Sequence, residues 1–137
     1  MQSKEHGIYK IELTDNILLT DAIGPFNREL IEHYNRDLKS TIESITSPVW
    51  GQIIILHSMS MFTPEAELEF RKTMEYRKNK GLRVIGLVTT DCESSMLVQW
   101  QFSKVYSDFG IIHNFVNSYE DAKLFVSSEL NKININS

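Results

Sequence analysis

The segment from Gln52 to Ala66 limits the fold of this chain more than any other stretch. Ile53, Ile54, Ile55 and Leu56 form an unbroken aliphatic run, the pattern of a strand covered on both faces. Thr63 has the hydroxyl of a helix cap, and Pro64 suits a first helical turn, where no amide donor is needed. A buried strand, a short loop and a helix start therefore follow one another. His57, Ser58 and Ser60 fall between them, beyond the carboxyl end of the strand. In open α/β sheets that end is where ligands and partners dock.

The flanking sequence extends this unit. Gly7 to Leu13 partly alternates, Asp15-Asn16 supplies a turn, and Ile17 to Ala22 is again extended, which predicts an N-terminal hairpin. Gly24-Pro25 breaks the strand, and Pro25 or Asn27 opens a helix. Phe26, Leu30, Ile31, Tyr34, Leu38, Ile42 and Ile45 share one face of that helix, and Ser47-Pro48 ends it. A second helix is expected from Pro64 to about Lys80, capped by Gly81. Arg83 to Thr89 reads as another buried strand. Ser94 to about Tyr106 reads as a helix through Leu97, Trp100, Lys104 and Val105, with Asp91 as its cap. Ile111 to Val116 forms a short strand. Ser118 and Asp121 make a weak capping box for a last helix, whose inner face is Ala122, Phe125, Val126 and Leu130. The polar stretch from Asn131 to Ser137 is expected to fray.

The order is β-β-α-β-α-β-α-β-α. It predicts a single α/β domain over residues 1–137, ordered from about 7 to 130, with a mostly parallel sheet, an antiparallel N-terminal edge and helices packed on it. At 137 residues such a domain buries enough surface to need no disulfide or metal staple. The one cysteine, Cys92, fits a reducing compartment, and a cytoplasmic location is the expectation. The N-terminal residues lack the apolar core of a signal peptide. No apolar run approaches the roughly 20 residues of a membrane span. A net charge of −4 argues against a nucleic-acid surface.

Five stretches in this order resemble the STAS-like group, the SpoIIAA-like proteins related to anti-sigma-factor antagonists and sulphate-transporter regulatory domains. They are Gly24-Pro25-Phe26-Asn27, then Pro48-Val49-Trp50 with Ile53-Ile54-Ile55, then Thr63-Pro64-Glu65-Ala66, then Gly81-Leu82-Arg83-Val84, and last Ser118-Tyr119-Glu120-Asp121-Ala122. The resemblance runs from Ile8 to Leu130. It implies a non-enzymatic regulatory or binding module that recognises a protein partner or a small apolar or anionic ligand, without a cofactor. Antagonists of that group carry an Asp-Ser-x-Gly-like loop with a phosphorylatable serine. The comparable place here reads Phe62-Thr63-Pro64-Glu65, so Thr63 is the one hydroxyl in register, and the glycine and aspartate are missing. A helix N-terminus favours phosphate on Thr63, while Glu65 repels it.

Other chemistry has weaker signals. Asp91 and Cys92 should reach the same sheet edge as His57, and a Cys–His pair can activate a thiolate, which makes a small cytoplasmic enzyme the alternative. A lone cysteine is more often a packing residue. His6, His33, His57 and His113 show no metal-ligand spacing. Ser58 and Ser60 lack a nucleophile elbow, and no glycine-rich phosphate loop exists. Arg71, Lys72, Arg77, Lys78, Lys80 and Arg83 crowd one stretch, but Glu65, Glu67, Glu69 and Glu75 intermix with them, as on a solvated helix face. Met59, Met61 and Phe62 are large apolar residues in a loop. They either tuck under the second helix or line a binding surface. Trp100, Phe102 and Tyr106 do not share one stripe, so part of this aromatic set is expected on a surface that binds a partner or a second copy. The candidate binding residues are thus His57, Ser58, Met59, Met61, Phe62, Thr63, Asp91, Cys92, Trp100 and Tyr106.

Overall fold

A computed structural model describes residues 8–136. Gly7, the expected first residue of the hairpin, lies outside them, as does Ser137. The hairpin is β1 (Ile8–Thr14) and β2 (Ile17–Ile23), antiparallel and joined through Asp15, whose φ of 55° is tolerated by a short polar side chain. Then follow α1 (Arg28–Glu43), β3 (Trp50–Ser58), α2 (Pro64–Lys72), α3 (Met74–Asn79), β4 (Leu82–Cys92), α4 (Ser95–Asp108), β5 (Ile112–Val116) and α5 (Tyr119–Asn136). The five strands stand in the order β1-β2-β3-β4-β5, and every pairing after the hairpin is parallel. This is the expected α/β sheet with one antiparallel edge.

Side-chain alternation sorts the strand residues onto two faces. Ile54, Leu56, Ile85 and Leu87 share one core with residues of α1, α2, α3 and α4, including Leu38, Phe70, Met74 and Phe102. Ile53, Val84 and Val88 meet Ala122, Val126 and Leu130 of α5 on the other face. The α5 helix lies so close that a Cβ added at Gly51 would come within 2.4 Å of Val126 Cγ1. Only hydrogen fits there.

The first helix buries the stripe its period predicts, although Phe26 lies before its cap and Ile45 beyond its end. Asn27 Oδ1 accepts from the Leu30 amide at 2.9 Å, and Leu30, Ile31, Tyr34, Leu38 and Ile42 are buried. Thr63 caps α2, its Oγ1 accepting from the Ala66 amide at 3.1 Å. Ser118 Oγ accepts from the Asp121 amide at 3.1 Å and starts α5.

Three expectations are corrected. The helix expected from Pro64 to Lys80 is broken at Thr73, whose hydroxyl turns to the Phe70 carbonyl and to Asn35 Oδ1. A Thr side chain that bonds nearby groups competes with helix continuation. The strand expected to stop at Thr89 runs on to Cys92, so Asp91 is a strand residue and not a cap. The inner face of α4 is Val98, Phe102, Val105 and Tyr106, while Leu97 and Trp100 point outward. The α5 helix extends to Asn136.

Candidate functional site

Three strand ends converge at the carboxyl edge of the sheet. Leu19 and Ile55 pack toward the α5 face, and alternation places Asp21 and His57 on that same face. Asp91 would not follow in a regular strand. The β3–β4 register shifts, with Ile55 opposite Val88 but His57 opposite Asp91, so β4 holds one residue more than β3 in this interval. Such a bulge turns Asp91 back to the face of Val88. His57 consequently sits between two carboxylates. Its Nε2 lies 2.8 Å from Asp21 Oδ1, and its Nδ1 lies 2.6 Å from Asp91 Oδ2.

Both ring nitrogens face acceptors, and only the doubly protonated imidazolium donates to both. Partial burial opposes that charge, but the hydrogen bonds that the ring donates to Asp91 and Asp21, with their negative charges, outweigh it. The His57 pKa is raised above its ordinary value. While the imidazole carries both protons it has no free lone pair, and in that form it acts neither as a general base nor as a metal ligand. Among the described residues, no group of three or more His, Cys, Asp and Glu could hold a metal ion.

Cys92 is one residue further and packs against the opposite core, on the α1–α4 face. The structure therefore does not bring His57 and Cys92 together. Burial, with some help from Asp91, pushes the Cys92 thiol up to about 11, away from thiolate formation at neutral pH.

The loops beside this edge lock onto one another. Ser60 is fully buried; its Oγ donates to the His57 carbonyl at 2.6 Å and accepts from the Gly24 amide at 3.1 Å. Phe26 and Phe62 form a parallel bridge, through Phe26 N–H to Met61 O and Thr63 N–H to Phe26 O. The Gln101 side chain donates to the Phe62 carbonyl and accepts from its amide. Ser58 and Ser94 hold φ values of 57° and 51°, in the left-handed region that non-glycine residues seldom occupy. Such conformations cluster at binding and switch regions.

The remaining candidates separate by burial. Phe62 is core, its ring 4.9 Å from both Phe70 and Phe102 and 5.5 Å from Phe26. Tyr106 is fully buried, and burial raises its hydroxyl pKa. Met61 packs partly on the core. Thr63 is exposed, with its oxygen engaged in the cap. Met59 is 37% exposed and Trp100 61% exposed, and Lys104 Nζ rests 4.4 Å from the Trp100 ring centroid. Met96 and Leu97, which periodicity did not single out for the surface, are 82% and 53% exposed beside Trp100 on α4.

An apolar cavity of about 30 Å³ lies under α1, bounded by Phe26, Leu30, Tyr34, Phe62, Phe70 and Phe102. Space on this scale admits about one or two waters, far below the roughly 300 Å³ at which small-molecule pockets begin. A larger groove of about 250 Å³ opens between α1 and the α2–α3 pair. Asp21, Met96, Leu97 and Arg77 are the residues at these places that sequence reasoning missed as candidates. Asp21 had a signal, being one charge in an otherwise extended apolar strand.

No helix among the described residues is long and apolar enough to cross a membrane. No family model matches the chain, and no curated protein matches it. Among solved structures it is similar to an uncharacterized protein of the DUF3478 family with a SpoIIAA-like fold from Shewanella loihica PV-4. The TM-score is 0.65 at 20% identity, over 92% of this chain and 98% of that one. With its sheet order, its antiparallel edge and its helices packed on the sheet, this chain has a SpoIIAA-like fold.

Proposed function

We propose that the chain is a non-enzymatic binding module that docks a protein partner at the carboxyl edge of its central strands. The observation that carries this reading is the ridge of Met96, Leu97 and Trp100 on α4, three large apolar side chains that are each more than half exposed. Met59 adds to the same end of the molecule from the β3–α2 loop. Exposed Leu and Met scattered singly need no explanation, but a Trp with two apolar neighbours on one helix is the composition of an interface anchor. Lys104, ion-paired with Glu67 at 3.2 Å, lies over the Trp100 ring and helps to fix that anchor.

The supporting frame is rigid. Loop-to-loop bonds through Ser60, Phe26 and Gln101 hold the edge in one conformation, which lowers the ordering cost of docking. The His57 clamp joins β2, β3 and β4 there, with both of its ring nitrogens engaged by carboxylates. A binding role is thus favoured over the Cys–His enzyme.

The test is copurification of the tagged chain beside its Trp100→Asp variant, with light scattering on both. A stoichiometric partner held by the wild type and lost from a folded Trp100→Asp variant supports the reading. Equal retention by both removes the ridge as the site. A dimer that Trp100→Asp dissociates assigns the ridge to a second copy of this chain instead.

A further inference from the structure

Arg77 lies on α3 with none of its surface exposed. Its Nη2 donates to Asn35 Oδ1 at 3.1 Å, while Nε and Nη1 have no partner among the described residues. No described carboxylate pairs with it. Its neighbours are the faces of Phe70 and Tyr34, with ring centroids 4.9 Å and 5.8 Å from Cζ. Guanidinium does not give up its proton in a protein, so the buried cation persists. A buried charge without a counter-charge is among the least favourable groups a fold can hold. Ring faces and one neutral amide oxygen offset only part of that cost.

Arg77 also lines the groove of about 250 Å³ between α1 and the α2–α3 pair, with Asn35, Leu38, Lys39, Ile42, Lys72, Thr73 and Tyr76. The charges around it are mostly positive. Lys39 and Lys80 flank the Tyr76 ring, their Nζ atoms 5.8 Å and 5.7 Å from its centroid. Lys72 is held by Glu69 at 2.6 Å, and Glu43 lies near the Tyr76 hydroxyl. The Tyr76 hydroxyl also has no partner among the described residues. Leu38, Ile42 and the Tyr76 ring make the groove's apolar wall. Asn35, also on the groove wall, accepts through its Oδ1 from both Arg77 and Thr73.

We propose that this groove binds a small ligand carrying one oxyanion, a phosphate monoester or a carboxylate, on a compact apolar body. The oxyanion takes over from Asn35 Oδ1 as the acceptor for Arg77. Thr73, the Tyr76 hydroxyl and Lys39 then supply further donors, and the apolar body lies along Leu38 and Ile42. At about 250 Å³ the groove is just under the roughly 300 Å³ of pockets for drug-sized ligands, which limits the occupant to a one-ring compound and excludes a nucleotide or a lipid chain. This site is separate from the α4 ridge and does not depend on it.

Thermal unfolding with inorganic phosphate, phenyl phosphate and benzoate tests the proposal. Each is added at about 10 mM, tenfold above a Kd of about 1 mM. The expected result is a rise in Tm of about 3–6 °C with phenyl phosphate or benzoate. The larger response between those two assigns the head group, and a smaller one with inorganic phosphate shows that the apolar wall contributes. Arg77→Met should abolish the rise, and the exposed Lys39→Gln should weaken binding severalfold in a chain that folds normally. If Arg77→Met does not fold, Lys39→Gln with amide chemical shifts of Thr73 and Tyr76 decides. No response to any of the three probes overturns the proposal, and so does an equal response in wild type and variants.

Discussion

His57 Nδ1 lies 2.6 Å from Asp91 Oδ2 because β4 holds one extra residue before Asp91. The contact, with Asp21 on the other ring nitrogen, raises the His57 pKa against the opposing effect of burial. A raised histidine contributes stability that is fully present below its unfolded pKa of about 6.5 and lost as pH rises through the folded value. His57→Asn should therefore cost more stability at about pH 6 than at about pH 9. Urea midpoints for both proteins across that range check it. A gap that stays constant or widens with pH refutes a charged clamp.

Gly51 is enclosed by Val126 and Val84, with an added Cβ only 2.4 Å from Val126 Cγ1 and 3.1 Å from Val84 Cγ1. Valine is stiff at χ1 and cannot swing clear. Gly51→Ala should destabilise by about 1–3 kcal/mol. Adding Val126→Ala should recover part of that loss, which a double-mutant cycle in urea measures.

Phe62 packs on Phe26, Phe70 and Phe102 and is 6% exposed. Phe62→Ala should cost about 3–5 kcal/mol, the usual range for truncating a buried ring. Trp100→Ala, on the open side of α4, should stay within about 0.5 kcal/mol of wild type. Equal costs at the two positions would contradict their placement.

Cys92, with its thiol raised to about 11 by burial, should react slowly. Iodoacetamide at about pH 8 should label the native chain at least tenfold more slowly than the urea-unfolded chain. Rapid native labelling would reopen the thiolate reading.

Much of the architecture was legible before the structure. The strand at Ile53 to Leu56, the cap at Thr63, the period of α1 and the hairpin turn at Asp15 are local properties. Each depends on residues a few positions apart. The helix break at Thr73 was not legible, because its hydroxyl is drawn partly by Asn35, which is distant in sequence. The α4 faces were misread because mixed apolar residues on all sides leave the inner stripe undefined until a sheet covers one of them.

The site shows the same division. Histidine at a strand end and a Met-rich loop could be named from residue order alone, because a buried strand and a capped helix dictate where the chain emerges. Which of those residues are core and which are surface was decided by packing across elements: Phe62 and Tyr106 went inside, Met96 and Trp100 outside. The Asp21–His57–Asp91 clamp needs three strands in register and a bulge in one of them. The exposed neighbours of Trp100 and the unpaired guanidinium of Arg77 likewise exist only once the helices are seated. Backbone propensity and hydrophobic period act locally and were set by the amino-acid order. Charge pairing, burial and alternation across a shifted register depend on distant partners, and only the tertiary structure supplied them.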